Sequence, residues 1–378
     1  MIYLFFGVGF TYLLALVALV IGFHKLPFFR EESLPKKTRF SIVIPFRNEA
    51  GNLSNLLESI LNLNYPTSLF EVILVDDASE DESVNIINQI IEKNNDPNNL
   101  RVIKNKRHSA SPKKDAIAAA IAISKYEWIV TTDADCIVPA TWLTAYNCFI
   151  RSHKAALVAG PVVYKPNESI ASQFQYFDGL SLQFVAMGSF GLQIPMLCNG
   201  ANLAYKKETF YLVEGFSKNN HIASGDDLFM MEEILKTTPK EVHFLKSKNA
   251  IVETLPEDSW TTIIAQRIRW ASKTANQKSA FSKLLGLLVF TTNALVLVGL
   301  LYCLIKPVFL PYYISFIVVK VAADYVIVKM SNTLFKGKIN NAAFLPSAFS
   351  YPIVTVLVVL RSLRGSYSWK GRTFEKQP

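Results

Sequence analysis

Trp128-Ile129-Val130-Thr131-Thr132-Asp133-Ala134-Asp135 is an apolar, β-branched run that ends in two carboxylates spaced i, i+2. Such a run reads as a strand. In extended backbone residues i and i+2 project to one side, so Asp133 and Asp135 face the same ligand. Upstream, Phe70-Glu-Val-Ile-Leu-Val75 ends the same way, in Asp76-Asp77-Ala78-Ser79. Both acidic ends fall at the carboxyl ends of strands, where open α/β sheets bind their ligands.

The pattern around them alternates strand and helix. Phe40 to Pro45 is a strand, and Asn48 to Asn64 carries Leu53, Leu56, Leu57, Ile60 and Leu61 at helical spacing. Ser79 reads as the cap of a helix bearing Val84, Ile86, Ile87, Ile90 and Ile91, with Glu82 at capping-box spacing. Leu100–Ile103 is a strand and Lys113–Ser124 an Ala/Ile-rich helix; Asn94–Asn99 is a polar loop. Residues 38–280 therefore predict an α/β domain with a parallel sheet and helices on both faces. No Gly-x-Gly-x-x-Gly follows the first strand, which argues against a dinucleotide oxidoreductase.

The flanks are of another kind. The chain has 378 residues, of which 51% are hydrophobic, and a mean hydropathy of +0.24. Ile2–Phe23 is uncharged and about long enough to cross a bilayer, so residues 1–24 read as a retained membrane anchor. Leu284–Ile305, Leu310–Met330 and Ala342–Leu360 predict about three further segments over 284–360, before a basic tail, 361–378. Lys320 and Asp324 lie four apart inside one of them, placed to pair on a helix face or to serve a function there. The net charge is +9, concentrated at Lys25–Arg39 and Arg361–Arg372. That placement points to anionic membrane lipid rather than nucleic acid, and to a cytoplasmic domain at the cell (inner) membrane. Three full C-terminal spans would leave the basic tail outside. The conflict points to a re-entrant or interfacial segment, the last being the candidate because it carries Pro346 and Pro352. The four cysteines show no paired spacing, so neither a zinc site nor a disulfide framework is expected.

Within the central stretch each motif suggests a chemistry. Asp133 and Asp135 offer hard oxygens suited to Mg²⁺ or Mn²⁺, which bridge diphosphate oxygens. Asp76 and Asp77 are placed to accept hydrogen bonds from a base or a ribose; Asp77-Ala-Ser also reads as a helix start. Lys113 and Lys114 open a helix against its dipole, which a phosphate would favour, the other reading being solvated lysines. Asp226 and Asp227 follow Ser224-Gly225 at another helix start. First-turn acids are ordinary there. They also suit a general base, Asp227, kept ionised by backbone N–H groups, with Asp226 as cap or orienting partner. Gln266, Arg269 and Trp270, at i, i+3 and i+4, share one helix face with Arg267 off it. Trp stacks on sugars and Arg clamps diphosphates; a helix on the membrane surface is the other reading.

Taken together these motifs resemble family 2 glycosyltransferases, the inverting membrane-bound branch that includes cellulose, hyaluronan and poly-N-acetylglucosamine synthases and ceramide glucosyltransferase. Ser41-Ile-Val-Ile-Pro-Phe-Arg-Asn-Glu49 is similar to that family's opening strand and nucleotide-binding loop, which brings in Pro45 and Glu49. Asp76 and Asp77 match the nucleoside-contacting acids, and Asp133-Ala-Asp135 the metal-binding pair. Lys113 matches the Lys after the third strand, with Pro112 where Gly is usual. Asn199-Gly200-Ala-Asn202 resembles the stretch lining the sugar and acceptor pocket. Gly225-Asp-Asp227 resembles the catalytic acid motif and Gln266 to Trp270 the Gln-x-x-Arg-Trp. Trp369-Lys-Gly-Arg372 is similar to a tail of some members. The resemblance implies a GT-A, Rossmann-like nucleotide-sugar-binding domain between N- and C-terminal transmembrane helices. It implies a nucleotide-diphosphate sugar donor (a UDP-sugar foremost), a lipid or glycan acceptor, and a β-glycoside product formed with Asp227 as base. A processive polysaccharide synthase, a nucleotidyltransferase and a non-catalytic membrane scaffold are the competing readings.

Overall fold

The computed structural model describes residues 1–32, 34–94, 99–274, 276–363, 366–369 and 372–375. Asn95–Asn98 of the expected polar loop, and Arg364, Lys370 and Gly371 of the basic tail, lie outside the described residues. Along the chain run α1 (Ile2–Lys25), β1 (Phe40–Phe46), α2 (Leu53–Leu61), β2 (Phe70–Asp76), α3 (Ser83–Lys93), β3 (Leu100–Lys104), α4 (Pro112–Ile123) and β4 (Trp128–Thr131). Then come β5 (Cys136–Ile137), α5 (Trp142–Ser152), β6 (Leu157–Ala159), β7 (Val162–Tyr164), α6 (Ile170–Gly191), β8 (Leu203–Lys206), α7 (Lys207–Leu212) and α8 (Asp226–Thr237). The remainder holds β9 (Val242–Phe244), β10 (Val252–Thr254), α9 (Trp260–Thr274), α10 (Ala280–Ile305), α11 (Leu310–Phe335), α12 (Asn341–Ser362) and the hairpin β11 (Ser366–Trp369) and β12 (Arg372–Glu375). These elements form two compact units.

One unit holds residues 27–163 and 198–255. Its seven-stranded sheet has the order β3-β2-β1-β4-β8-β6-β9. β1 to β4 are parallel, as expected, with β1 between β2 and β4 and Phe46 level with Asp76. β8 runs antiparallel to both β4 and β6, so the sheet is mixed rather than parallel throughout. β8 follows α6 and enters the sheet from the Asn199–Asn202 turn, running opposite to β4. Ile42, Ile44, Val72 and Leu74 join Leu53, Leu56, Leu57 and Ile60 of α2 and Trp142 and Tyr146 of α5 in one buried cluster. α4 packs against β1 and β2 through a buried Ala116, Ile117, Ala120 and Ile121 face. The capping box expected at Ser79 is not made. α3 begins at Ser83, whose N–H donates to Asp81 Oδ1 at 3.1 Å. Ser79 instead accepts from the Asn48 N–H.

The other unit holds residues 1–26, 164–197 and the stretch from Pro256 onward. α6 and α9, which the sequence reading placed inside a 38–280 domain, group here with the apolar helices. α1, α10 and α12 are long and apolar enough to cross a membrane. Tyr3, Phe6 and Phe10 on α1 and Leu301, Leu304 and Ile305 on α10 turn outward, as lipid-facing side chains would. α12 runs unbroken through both of its prolines. The segment that falls outside the set is α11, which carries Lys320, Asp324 and Lys329. The charges of its middle are neutralised in place: Lys320 Nζ lies 2.6 Å from Asp324 Oδ2, and the Tyr12 hydroxyl donates to Asp324 Oδ1 at 2.6 Å. α1 and α6 cross at glycines. A Cβ on Gly191 would lie 1.8 Å from the Gly22 carbonyl oxygen, so no side chain fits at that crossing.

Candidate active site

The candidate site is built at the carboxyl ends of β1, β2 and β4, with the start of α8 beside them. The loops after β1 and β2 are stitched together. Asn48 N–H donates to Ser79 Oγ at 3.1 Å, Glu49 N–H to Ser83 Oγ at 2.8 Å, and Glu80 N–H to Asn48 Oδ1 at 2.8 Å. Arg47 pairs with Glu80 at 2.8 Å and donates to the carbonyls of Asp77 and Ala78. Asn48 and Ala78 both sit at positive φ, 52° and 57°. Left-handed backbone at non-glycine residues persists where the surroundings over-determine it, and such positions cluster at functional sites.

Asp76 and Asp77 are both buried. Asp76 Oδ1 accepts from the Ser79 N–H, three residues on, at 2.8 Å, which closes the chain turn after β2. Asp77 Oδ1 accepts from Asn105 Nδ2 at 2.9 Å and Arg107 Nε at 2.7 Å. The sequence reading missed Asn105 and Arg107; their position just beyond the third strand was the available signal. Pro45 lies within β1 opposite Val75.

Lys113 joins the motifs. From the first turn of α4 its ammonium lies 2.7 Å from Asp133 Oδ1 and 3.3 Å from Asp226 Oδ2. Burial works against its charge, but Asp133 and Asp226 outweigh that and hold its pKa above the ordinary lysine range. Asp135 behaves oppositely. Burial first, then the neighbouring Asp133 and Glu49 charges, push its carboxyl up to about 7. Among the described residues no three His, Cys, Asp or Glu side chains converge as a ready-made metal cage. The donor set is instead two half-buried carboxylates, Asp133 and Asp135, and a dication would favour ionisation of the second. That suits Mg²⁺ or Mn²⁺, which use one or two carboxylates and complete their shell with water and substrate phosphates.

Asp226 and Asp227 open α8 after Gly225, which caps it at φ 84°. The cap is therefore the glycine, and Asp226 is the Lys113 partner rather than a cap. Asp227 Oδ2 accepts from the Gly200 N–H at 3.3 Å and Oδ1 from the Leu228 N–H at 2.7 Å, bonds of the kind that favour a carboxylate anion. A Cβ on Gly200 would come within 2.9 Å of Asp226 Oδ2, so any other residue there would displace that carboxylate. Asn199 Oδ1 accepts from the Ala201 N–H and so closes the turn.

Asn202, expected in a substrate pocket, is a core strut. It is fully buried, accepts from Trp142 Nε1 (2.9 Å) and Tyr146 OH (2.8 Å), and donates to the carbonyls of Pro161 and Ala250 (both 2.8 Å). All four of its hydrogen-bonding positions are used, which leaves none for a sugar. Asn202→Ala would strand those four partners, and each unsatisfied buried group costs about 1–3 kcal/mol. A urea midpoint lowered by at least about 2 kcal/mol equivalent is expected. An unchanged midpoint would remove the strut assignment.

Gln266, Arg269 and Trp270 lie on α9, in the unit of apolar helices. Gln266 accepts from the Tyr164 hydroxyl (3.3 Å) and donates to Glu257 Oε1 (3.2 Å). Arg267, set aside in the sequence as the off-face residue, is the buried one. It pairs with Asp178 of α6 at 2.5 Å, and its guanidinium lies 4.2 Å from the Trp270 ring. A buried charge must find a partner. Asp178 supplies it from nearly ninety residues away, which no local spacing reveals.

Residues 41–210 match the family described as Glycosyl transferase family 2, and residues 128–331 match Glycosyl transferase family group 2. A poly(ribitol-phosphate) beta-glucosyltransferase of Bacillus spizizenii is 30% identical over 122 residues, 32% of this chain and 19% of that protein. A beta-monoglucosyldiacylglycerol synthase of Trichormus variabilis is 25% identical over 138 residues, 36% of this chain and 29% of that protein. The chain thus spans under a third of the length of these two relatives. Among solved structures, a mannosyltransferase from Pyrobaculum calidifontis, in complex with GDP-Man and Mn²⁺, superposes with a TM-score of 0.57. It is 18% identical and covers 95% of this chain and 99% of its own.

Proposed function

Because the chain belongs to glycosyl transferase family 2, and is a glycosyltransferase on a GT-A fold, we propose that it moves a sugar from a nucleotide-diphosphate sugar, a UDP-sugar foremost, to a lipid or lipid-linked acceptor with inversion. The observation that carries this reading is Lys113, whose ammonium joins Asp133 of the Asp-x-Asp to Asp226 beside Asp227. Donor-side and acceptor-side carboxylates therefore surround one cation.

In this reading Asp76, Asp77 and the Pro45–Glu49 loop hold the nucleoside end. Lys113 meets the diphosphate, as its position against the helix dipole anticipates. Asp133 and Asp135 would hold Mg²⁺ or Mn²⁺, which when bound neutralises charge on the leaving diphosphate. Asp227 accepts the proton of the acceptor hydroxyl, whose oxygen attacks the anomeric carbon from the face opposite the diphosphate. One displacement inverts the centre, so an α-linked donor gives a β-glycoside. Lys113 holds Asp226 and so keeps the first turn of α8 in place. The family pattern assigns Gln266, Arg269 and Trp270 to the donor and acceptor, with Arg267 fixing their helix.

Three observations favour a lipid acceptor: the candidate spans α1, α10 and α12, the basic flanks, and a relative named for diacylglycerol glucosylation. A polymer acceptor is the second reading, carried by the relative named for poly(ribitol-phosphate). Purified protein in lipid, supplied with a nucleotide-sugar panel, tests both. A single mass increment on a lipid supports the first and a ladder the second. Transfer from no nucleotide sugar sinks both.

The proposal includes a cytoplasmic catalytic unit, a reading that the basic flank Lys25 to Arg39 supports. A single cysteine at Lys93, an exposed position, should stay unlabelled by an impermeant thiol reagent until cells are opened. Labelling of intact cells would reverse the orientation.

A further inference from the structure

We infer that Lys114 is a positioning residue for the Asp226–Asp227 motif, an inference that rests on reading Asp227 as the base. The two lysines that open α4 do different work. Successive helical residues diverge by about 100°, and while Lys113 reaches Asp133 and Asp226, Lys114 is buried at 1% exposure. Its ammonium donates to the Asn219 carbonyl at 2.7 Å and the Ile222 carbonyl at 2.9 Å. It also lies 4.9 Å from the Phe229 ring centroid and 6.0 Å from that of Phe216.

Each of these partners belongs to the approach to the catalytic acids. Asn219 and Ile222 lie in the irregular loop that runs from Ser217 to Gly225. Phe229 is one turn into α8, its N–H bonded to the Gly225 carbonyl. The loop has little regular structure of its own, a single 3₁₀ turn at Ser217–Asn219. A buried ammonium is costly unless hydrogen-bonded, and here it draws two loop carbonyls and an aromatic face onto one point. The start of α4 thereby grips the acid motif twice. Lys113 holds the Asp226 carboxylate, and Lys114 holds the backbone that delivers Gly225, Asp226 and Asp227. A displacement of about 1 Å in such a group can cost about a hundredfold in rate. Asp76, Asp77, Asp133 and Asp135 lie on other loops, and Lys113 keeps Asp133 as a partner outside the gripped segment.

The experiment compares Lys114→Met, Lys114→Gln and Lys114→Arg in the full chain. The readouts are turnover, UDP affinity with Mn²⁺ by calorimetry, and hydrogen exchange of the 217–229 segment. Met and Gln should lower kcat at least about tenfold, keep UDP Kd within about twofold, and speed exchange in 217–229. Arg, which keeps the donors, should restore part of the rate. Normal kcat despite faster exchange would overturn the inference, as would UDP affinity falling in step with kcat, or Arg behaving as poorly as Met. If Lys114→Met does not fold, the milder Gln variant carries the same comparison. Failure of the base assignment itself would show separately, as normal turnover in Asp227→Asn.

Discussion

Asp135→Ala should abolish transfer together with metal-dependent nucleotide binding, while the protein stays folded. Asp135 is a half-buried carboxylate beside Asp133 and Glu49, and desolvation together with those charges pushes its pKa up to about 7. An acid raised in the folded state costs stability wherever it is ionised above its unfolded pKa. Alanine should therefore leave the melting temperature, measured without metal, unchanged or higher. With Asp133 and Asp135 as the proposed protein ligands of a cation otherwise held by water and phosphate, removing one leaves too little to hold it. The same shift sets a pH dependence. Protons and metal compete for Asp135, so Mn²⁺ affinity of the unmodified protein should fall about tenfold per unit below pH 7 and level off above it. Calorimetry with UDP and Mn²⁺ from pH 5 to 8 reads this directly. Full activity of Asp135→Ala in the presence of EDTA would sink the metal assignment.

The parallel half of the sheet was legible because β1, β2 and β4 each bury an apolar run and end in a polar turn. Strand period and strand-end chemistry are both local. β8 was not legible as antiparallel, because direction is set by the connection rather than by the residues of the strand. The carboxylates at Asp77, Asp133, Asp135, Asp226 and Asp227 could be read as a set because each sits at an element boundary. Their mutual wiring could not. Lys113 looked like a phosphate ligand, and its ion pairs with Asp133 and Asp226 are contacts across 20 and 113 positions. Asn202 looked like a pocket residue because a polar side chain after a glycine turn carries no mark of burial. Its four partners, from Trp142 to Ala250, come together only in the folded core. Arg267 was discarded by helical spacing for the same reason. Spacing shows which side chains share a face, not which face is buried.

Asp227→Asn should keep nucleotide affinity near that of the unmodified protein and lower transfer at least about a hundredfold, the low end of what a general base contributes. That factor corresponds to about 2.7 kcal/mol of transition-state stabilisation. Asparagine preserves size, and its one carbonyl oxygen can still accept from the Leu228 N–H, which lies closer than the Gly200 N–H, so the side chain stays anchored at one end while the basic oxygen is lost. Asp226→Asn tests the neighbouring role. Asp226 faces Lys113 at 3.3 Å, so its charge steadies the lysine and the first turn of α8 rather than taking a proton. Its neutralisation should cost less, and Lys113 keeps Asp133 as partner. Turnover and UDP affinity measured on both variants separate the roles. A dead Asp226→Asn with an active Asp227→Asn would exchange them. Normal turnover in both would move the base elsewhere, because no acceptor hydroxyl could then depend on either carboxylate for its proton.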